Sequence, residues 1–237
     1  MKKMFLAASV LLVPFIWASA QKTIYDPNAV VRSAKNFHAV EVSNGIDVYI
    51  SKGEEALAVS GATAEYSAQI QATVEKGILK IWFKEDKNRI VFNNKRALKA
   101  YISYNTLDAI KAAGGSDILV DGTIKGNSLA IHISGGSDFK GKVDVQELLV
   151  EQSAGSDISI EGKATNVSIN ASSGSDFKGY DLVSDNCSVE ASSGSDVQIT
   201  VNKNLAAEAN SGSDVFYKGG ATLKPNKQLG SSIKKVG

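Results

Sequence analysis

The sequence predicts an all-β protein built as a right-handed parallel β-helix, or β-solenoid, with coils of about 20 residues. The first observation is the tripeptide Gly-Ser-Asp, which occurs six times in the second half of the chain. The second is its spacing of 18 to 21 residues, because regular repetition near that period is typical of a solenoid. The third is a composition of 21 glycines and only 3 prolines, which suits strands joined by tight turns. The six copies end at Asp117, Asp138, Asp157, Asp176, Asp196 and Asp214.

Apolar and polar residues alternate within each repeat, as a β-strand requires. The serine of each tripeptide has the inward parity, at a place where its inward neighbours are small, so we expect a narrow corner with hydroxyls bonded to unpaired backbone groups. The aspartate then points outward. About 20 residues give a circuit of roughly 65 Å, and parallel crossovers wind right-handed. The predicted inward positions of two repeats include Val167, Ile169, Ala171, Ser173, Ser175, Phe177, Cys187, Val189, Ala191, Ser193, Ser195, Val197, Ile199 and Val201.

Coils stacked in register would place the six aspartates in one column, with about 4.8 Å between neighbours. Like charges this close repel, so the column needs compensation. In a structural interpretation, each carboxylate accepts hydrogen bonds from backbone N–H groups at its own corner. Alternatively, the column binds a hard cation, above all calcium, or forms a recognition surface for a protein or a sugar. The candidate metal ligands are Asp117, Asp138, Asp157, Asp176, Asp196 and Asp214, and no other cofactor is expected.

The region before the repeats is predicted to continue the same β architecture in a less regular form. Residues 62–73 fit an amphipathic helix and an alternating strand equally well, and Asn44-Gly45 marks a tight turn or a bend. Strands are predicted at 57–61, 69–75, 78–83 and 98–103, with a hairpin turn at Glu75-Lys76-Gly77. The predicted divisions are a signal peptide (1–20), a linker (21–36) and one domain (37–237) with an irregular part (37–113), regular coils (114–218) and a C-terminal edge or cap (219–237).

The N-terminus has the pattern of a secretory signal peptide. Lys2 and Lys3 precede an apolar run that ends at Ala18-Ser19-Ala20, a small-residue cleavage site. The run is shorter than the roughly 20 residues that a membrane-spanning helix needs. The next residue is Gln21 rather than cysteine, so we expect export through the Sec pathway to the periplasm or beyond, without a lipid anchor. The 26 basic and 25 acidic residues are balanced, which argues against a nucleic-acid partner.

The sequence favours no catalytic residue. His132 has the outward parity of its strand, and Cys187 has the inward parity with no histidine near it in the sequence. The six motif serines lie in no Gly-x-Ser-x-Gly elbow, and an active site is usually built once rather than six times. Since β-helices also occur in enzymes that act on polysaccharides, a calcium-dependent enzyme of that class is an alternative.

Several segments together resemble the putative auto-transporter adhesins with a head GIN domain, a family common among secreted proteins of Bacteroidetes. The resemblance covers about 37–235 and implies a β-solenoid, export and adhesion, with no catalytic residues and no fixed ligand. This chain has Asn105-Thr106 where family members often have a proline. The segments that carry the resemblance are Asn44-Gly45-Ile46-Asp47-Val48, Lys76-Gly77-Ile78-Leu79-Lys80-Ile81, Tyr101-Ile102-Ser103-Tyr104, Leu107-Asp108-Ala109-Ile110 and the Gly-Ser-Asp series.

Two non-enzymatic functions follow. One is a secreted, adhesin-like module that binds a glycan or a protein at the cell envelope through its polar outward strands. The other is a structural envelope protein that associates with its own copies as a homo-oligomer. The outward parity has dense charge and no apolar stripe, which favours the binding module.

Overall fold

The computed structural model describes residues 26–85, 96–224 and 227–237, with strand making up 66% and helix 3%. The strands wind into a β-solenoid of about 6 turns with coils of about 19 residues, so the predicted fold class is confirmed. The predicted signal peptide, 1–20, lies outside the described residues. No helix in the described ranges is long and apolar enough to cross a membrane.

The N-terminal part combines short parallel strands with hairpins. In chain order the elements are β1 (Val30–Arg32), β2 (Ala39–Val42), β3 (Asp47–Lys52), β4 (Ala56–Ser60), α1 (Ala64–Gln69), β5 (Ile70–Glu75), β6 (Ile78–Phe83), β7 (Lys99–Tyr104) and β8 (Ala109–Ala112). β5 and β6 form an antiparallel hairpin, as predicted for the turn at Glu75-Lys76-Gly77, and the turn places Lys76 and Gly77 at positive φ. β1 and β4 are also antiparallel, as are β4 and β7.

The ambiguous segment 62–73 is helix in its first half and strand in its second. Thr63 caps α1, because its side-chain oxygen accepts a hydrogen bond from the Tyr66 N–H at 3.3 Å. The helix buries Tyr66 and Ser67, and the backbone becomes extended again at Ile70. A helix of six residues is short enough for tertiary contacts to decide its conformation, which explains why the pattern alone fitted both structures.

In the regular part, each coil is one long strand that bends around the core, and the last coil divides into short strands. The long strands are β9 (Ile118–Ser134), β10 (Asp138–Ser153), β11 (Asp157–Ala171), β12 (Asp176–Ala191) and β13 (Asp196–Asn210), followed by β14 (Asp214–Lys218), β15 (Thr222–Leu223), β16 (Lys227–Leu229) and β17 (Ser232–Lys235). Phe139 of β10 lies opposite Ile118 of β9 on one side and Ile158 of β11 on the other, and all these pairings are parallel. Irregular registers, such as the one between Ser159 and Gly162, absorb the differences in coil length.

The two parts share one 17-stranded sheet. β3 pairs with β9 in parallel through Val48 and Ile118, and β8 pairs with the other end of β9 through Ile110 and Ile131. At the C-terminal end, β17 pairs with β14 in parallel and carries the exposed Lys234. The irregular N-terminal strands therefore continue the stack of regular coils.

A single hydrophobic core fills the inside of the stack. Phe139 and Phe177 are among its largest fully buried side chains, and burying a side chain of this kind contributes about 1.5–3 kcal/mol. Cys187 and Val189 are buried, as their parity predicts. The predicted inward orientation of Ser173 and Ser193 is wrong, because both serines are exposed.

Gln152 is a polar side chain on the inward side of this core. Gln152 is 2% exposed and lies between Ile133 and Ala171 in the parallel register. Neither its Oε1 nor its Nε2 atom has a hydrogen-bond partner. A buried amide without partners is destabilising, so Gln152 is a weak point of the core.

Candidate functional site: the aspartate ladder

The corner before each outward aspartate is made by two consecutive residues in the left-handed region. In β10 to β11 these are Ala154 and Gly155, with φ of 56° and 68°, and in the next coil they are Ser173 and Gly174, with φ of 57° and 69°. Two such residues reverse the chain within a tight bend, as in a type I′ turn. They also interrupt the strand alternation, which is why Ser173 and its equivalent Ser193 point outward instead of inward.

The serine of each Gly-Ser-Asp motif points into the corner. The Ser195 hydroxyl shows the predicted role most fully, since it donates toward the carbonyls of Ala171 at 2.8 Å and Ser192 at 2.9 Å. It also accepts a hydrogen bond from the Ser192 N–H at 3.1 Å. The prediction that inward hydroxyls bond to backbone groups is therefore confirmed. The six motif serines, each 0% exposed, are Ser116, Ser137, Ser156, Ser175, Ser195 and Ser213.

The aspartate that follows each serine lies in register with those of the neighbouring coils. We call this row of outward side chains the aspartate ladder. It contains every candidate metal ligand predicted from the sequence. The paired residues are Asp138 with Asp157, Asp157 with Asp176, Asp176 with Asp196, and Asp196 with Asp214, while Asp117 is next to Asp138 because Ile118 pairs with Phe139.

Hydrogen bonds link successive rungs of the ladder. The Asp138 N–H donates to Asp117 Oδ1 at 3.1 Å, and the Asp157 N–H donates to Asp138 Oδ1 at 3.2 Å. The Asp214 N–H donates to Asp196 Oδ1 at 3.3 Å. The expected N–H donors were at each aspartate's own corner, whereas these donors belong to the next coil. The carboxylates thus join coils as well as shaping corners.

Residues other than the six predicted aspartates complete both ends of the ladder. At the N-terminal end, Asp47 lies opposite Lys99 and, through the pairing of Val48 with Ile118, beside Asp117. At the C-terminal end, Ser232 takes the place of an aspartate and donates from its hydroxyl to Asp214 Oδ1 at 2.6 Å. Asp47 was not predicted as a rung, because Ile46 stands in place of the motif serine. The preceding Asn44-Gly45 nevertheless supplies the same pair of residues in the left-handed region.

The negative charge of the ladder is compensated unevenly. Lys178 Nζ lies 2.9 Å from Asp157 Oδ2 and 3.9 Å from Asp176 Oδ2, so one ammonium group serves two rungs. Among the described residues, no basic nitrogen lies within 4.0 Å of the carboxylates of Asp47, Asp117 or Asp138. Within the described ranges, the carboxylates of Asp196 and Asp214 at the C-terminal end lack such a partner as well, so direct pairing is confined to the middle of the ladder.

The pKa values of unpaired rungs shift in the corresponding direction at both ends, since burial and the charges of Asp176 and Asp214 raise the pKa of Asp196. Burial raises the pKa of Asp47, and the negative charge of Asp117 raises it further, whereas the positive charge of Lys99 opposes the shift. Burial also raises the pKa of Asp117; the Asp138 N–H opposes this shift, whereas the Asp138 charge adds to it. Ionised carboxylates at these two positions are thus less favourable than free ones.

A groove of about 330 Å³ runs along the three rungs at the N-terminal end of the ladder. Its acidic wall continues as far as Asp157, and Tyr49 and Leu119 form its apolar part. The Tyr49 ring is stacked on Tyr101, with centroids 5.3 Å apart, and Leu119 is 43% exposed. We call this site the acidic groove and define it by Asp47, Tyr49, Asp117, Leu119, Asp138 and Lys140.

Other outward rows carry polar side chains in the same way. The Asn186 amide donates to Asn166 Oδ1 at 2.9 Å, and the Asn204 amide donates to Asn186 Oδ1 at 2.7 Å. On another face His132 Nδ1 lies 2.8 Å from Glu151 Oε2, beside a groove of about 580 Å³. The asparagine row was not predicted, although the spacing of these residues, 20 and 18, follows the repeat.

The residues considered for catalysis are dispersed. Burial raises the pKa of the Cys187 thiol to about 12, which disfavours the thiolate that a nucleophile requires. His38 pairs with Asp108 and His132 pairs with Glu151, each at 2.8 Å, and neither pair includes the Cys187 thiol. Within 26–85, 96–224 and 227–237, no three or more His, Cys, Asp or Glu side chains are grouped so that they could hold a metal ion.

Solved structures with the same fold come from Bacteroides and Parabacteroides species. A putative adhesin from Bacteroides fragilis is 20% identical, with a TM-score of 0.80 over 89% of this chain and 98% of that one. A putative adhesin from Parabacteroides merdae is 16% identical, with a TM-score of 0.70 over 88% and 95%. A putative lipid binding protein from Parabacteroides distasonis is 17% identical, with a TM-score of 0.67 over 90% and 98%. These likenesses establish the shared fold.

Among curated proteins no match was found. Residues 36–221 match the model of a family described as putative auto-transporter adhesin, head GIN domain. The match includes the Asn44-Gly45 corner, the regular coils and every rung of the ladder from Asp47 to Asp214. Because this model covers most of the chain, the protein belongs to the putative auto-transporter adhesin, head GIN domain family.

Proposed function

We propose that the protein is an exported, non-catalytic, adhesin-like module that binds a glycan or a protein at the cell envelope. The observation that carries the proposal is the register of the outward side chains, which aligns equivalent positions of successive coils in rows. The aspartate ladder and the row of Asn166, Asn186 and Asn204 are examples. A stack of this kind offers an extended partner many equivalent polar contacts. Membership of an adhesin family supports the same function.

The dispersed arrangement of His38, His132 and Cys187 favours binding over catalysis. The motif serines are also unsuited to act as nucleophiles, because they are fully buried and their hydroxyls serve the corners. A polysaccharide-acting enzyme would need a carboxylate acid–base pair with separated pKa values or an activated nucleophile. Incubation with envelope polysaccharides, followed by a reducing-end assay, should therefore show no product.

Calcium binding by the six predicted aspartates is the alternative role for the ladder. Since Oδ1 of Asp117, Asp138 and Asp196 already accepts a backbone N–H from the next coil, we favour the structural role. We expect neither millimolar calcium nor EDTA to change the melting temperature. A rise with calcium that EDTA reverses would establish calcium binding instead, because a ligand of the folded state stabilises it.

Self-association is the alternative function at the level of the whole molecule. The C-terminal strand β17 carries exposed Lys234 and Lys235, and charged edge strands discourage pairing with another chain. Light scattering coupled to size exclusion should therefore give a monomer mass over a hundredfold range of concentration. A mass that grows with concentration would favour the self-associating envelope protein.

The binding proposal is tested with labelled mature protein, residues 21–237. It predicts saturable binding to washed envelope vesicles, with displacement by unlabelled protein, and a glycan array then separates sugar from protein partners. Heat-denatured protein is the control for nonspecific adsorption. If the folded protein bound neither the vesicles nor the array above that control, the proposed function would be wrong.

A further inference from the structure

The acidic groove combines an apolar wall with three carboxylates that pair directly with no basic group of the described residues, since Lys140, which also lines the groove, lies beyond 4.0 Å from them. Asp47, Asp117 and Asp138 occupy consecutive rungs, which in a parallel stack are about 4.8 Å apart. Lys178 neutralises Asp157 and Asp176, further along the ladder. Because like charges at this spacing repel, a cationic group placed between the first three rungs would relieve that repulsion.

Lys178 shows how a cation of the right kind fits the ladder. Its ammonium group lies between two successive rungs, 2.9 Å from Asp157 Oδ2 and 3.9 Å from Asp176 Oδ2. The intervals from Asp47 to Asp117 and from Asp117 to Asp138 repeat that arrangement of carboxylates. An ammonium group supplied by a partner can therefore occupy these intervals as Lys178 occupies its own.

The apolar part of the groove distinguishes a basic side chain from a bare metal ion. Tyr49, held by its stacking on Tyr101, and the exposed Leu119 lie beside the carboxylates. These side chains offer contacts to the aliphatic part of a lysine or arginine, and a tyrosine ring also attracts its cationic end. The protein contains such a contact elsewhere, since Lys218 Nζ lies 4.2 Å from the centre of the Tyr180 ring.

We propose that the acidic groove binds an extended, lysine- or arginine-rich segment of a partner protein. Alternate side chains of an extended segment are about 6–7 Å apart, so flexible basic side chains can reach successive intervals of the ladder. The inference rests on the proposed binding function and specifies its partner as a protein with a basic segment.

The test measures binding of a fluorescein-labelled decapeptide of alternating lysine and glycine by fluorescence anisotropy in low salt. The groove variant is Asp117→Asn with Asp138→Asn, and the matched control is Asp196→Asn with Asp214→Asn. Each pair removes two negative charges from the same ladder, and each asparagine keeps an Oδ1 acceptor for the next coil's N–H. Equal melting temperatures of the two variants verify that the fold is intact.

The groove variant should bind the peptide at least about tenfold more weakly than the wild type, and the control variant within about twofold. Tyr49→Ser should weaken binding about threefold, and a glutamate–glycine peptide should not bind. Equal losses in both double variants would overturn the groove assignment, because the ladder would then act as a general polyanion. Absence of peptide binding would also overturn it, whereas saturable binding to envelope vesicles or glycans would still support the proposed function.

Discussion

The serine and the aspartate of each Gly-Ser-Asp corner point to opposite sides of the same bend. The serine side chains are fully buried, and Ser195 bonds to the backbone of its own coil and of the preceding one. The aspartates face outward and accept N–H groups from the following coil. Strand parity predicts this division, because adjacent residues in a strand face opposite sides. It does not identify the N–H donors, which depend on the register between coils.

Gln152 provides the simplest test of the core. Gln152→Leu replaces an amide without partners by an apolar side chain of similar size, so we expect stabilisation by about 1–2 kcal/mol. The melting temperature should rise by roughly 2–4 °C for each kcal/mol. Gln198→Leu, at an outward position, is the control and should have little effect. A lower melting temperature for the Gln152 variant would mean that the buried amide has a stabilising partner.

Asp47 should make stability depend on pH in a definite direction. Burial and the Asp117 charge raise its pKa in the folded protein, so its contribution to stability is fully present below the ordinary pKa of an aspartate. The contribution is lost as pH rises through the raised value. Asp47→Asn should therefore raise the melting temperature at pH 7, on the order of 1–2 °C, and leave it unchanged at pH 3.

Asp26 serves as the control in thermal melts across this pH range, because its pKa shifts in the opposite direction to that of Asp47. The hydroxyl of Tyr101, which lies 2.8 Å from Asp26 Oδ2, lowers the pKa of that carboxyl. Its stabilisation is present above the ordinary pKa and is lost as pH falls through the lowered value. Asp26→Asn should thus reduce the melting temperature at pH 7. An Asp47 variant that behaved like this control would contradict the charge repulsion inferred for the ladder.

At the scale of the structural elements, a comparison of two glycines distinguishes the cost of an unfavourable backbone conformation from the cost of a steric clash. A Cβ at Gly155 would meet nothing within 4 Å, whereas one at Gly162 would lie 2.0 Å from the Val143 carbonyl oxygen. Both glycines have positive φ. Gly155→Ala should therefore cost about 1 kcal/mol, and Gly162→Ala at least about 3 kcal/mol. Urea unfolding of both variants measures the difference in stability. Similar losses would show that the backbones at Val143 and Gly162 lie further apart than this contact requires.

The regular coils were predictable from sequence because every unit repeats the same corner. The irregular elements were not, for local reasons. The rung at Asp47 lacks the repeat's signature because Ile46 replaces the motif serine. At Ser193 and Gly194, two successive residues in the left-handed region break the alternation that predicts an inward Ser193. The acidic groove was also hidden, since Tyr49 and Leu119 are 70 residues apart in the chain and meet only through the pairing of β3 with β9.

For the whole molecule, stacking converts repeated residues into continuous surfaces. The ladder begins beside Lys99 and ends at Ser232, and its charge is neutralised by Lys178 only part of the way along. The exposed rows are therefore not equivalent along their length. The N-terminal stretch combines carboxylates with Tyr49 and Leu119, whereas the C-terminal stretch does not, so we expect partners to bind toward the N-terminal end.

The decisive measurement is the affinity of the labelled mature protein for envelope vesicles, compared between the wild type and the two double variants of the ladder. We predict saturable binding by the wild type, a loss of at least about tenfold for Asp117→Asn with Asp138→Asn, and at most about a twofold change for Asp196→Asn with Asp214→Asn. Binding that is unaffected by either pair, or that never saturates, would contradict recognition through the N-terminal end of the aspartate ladder.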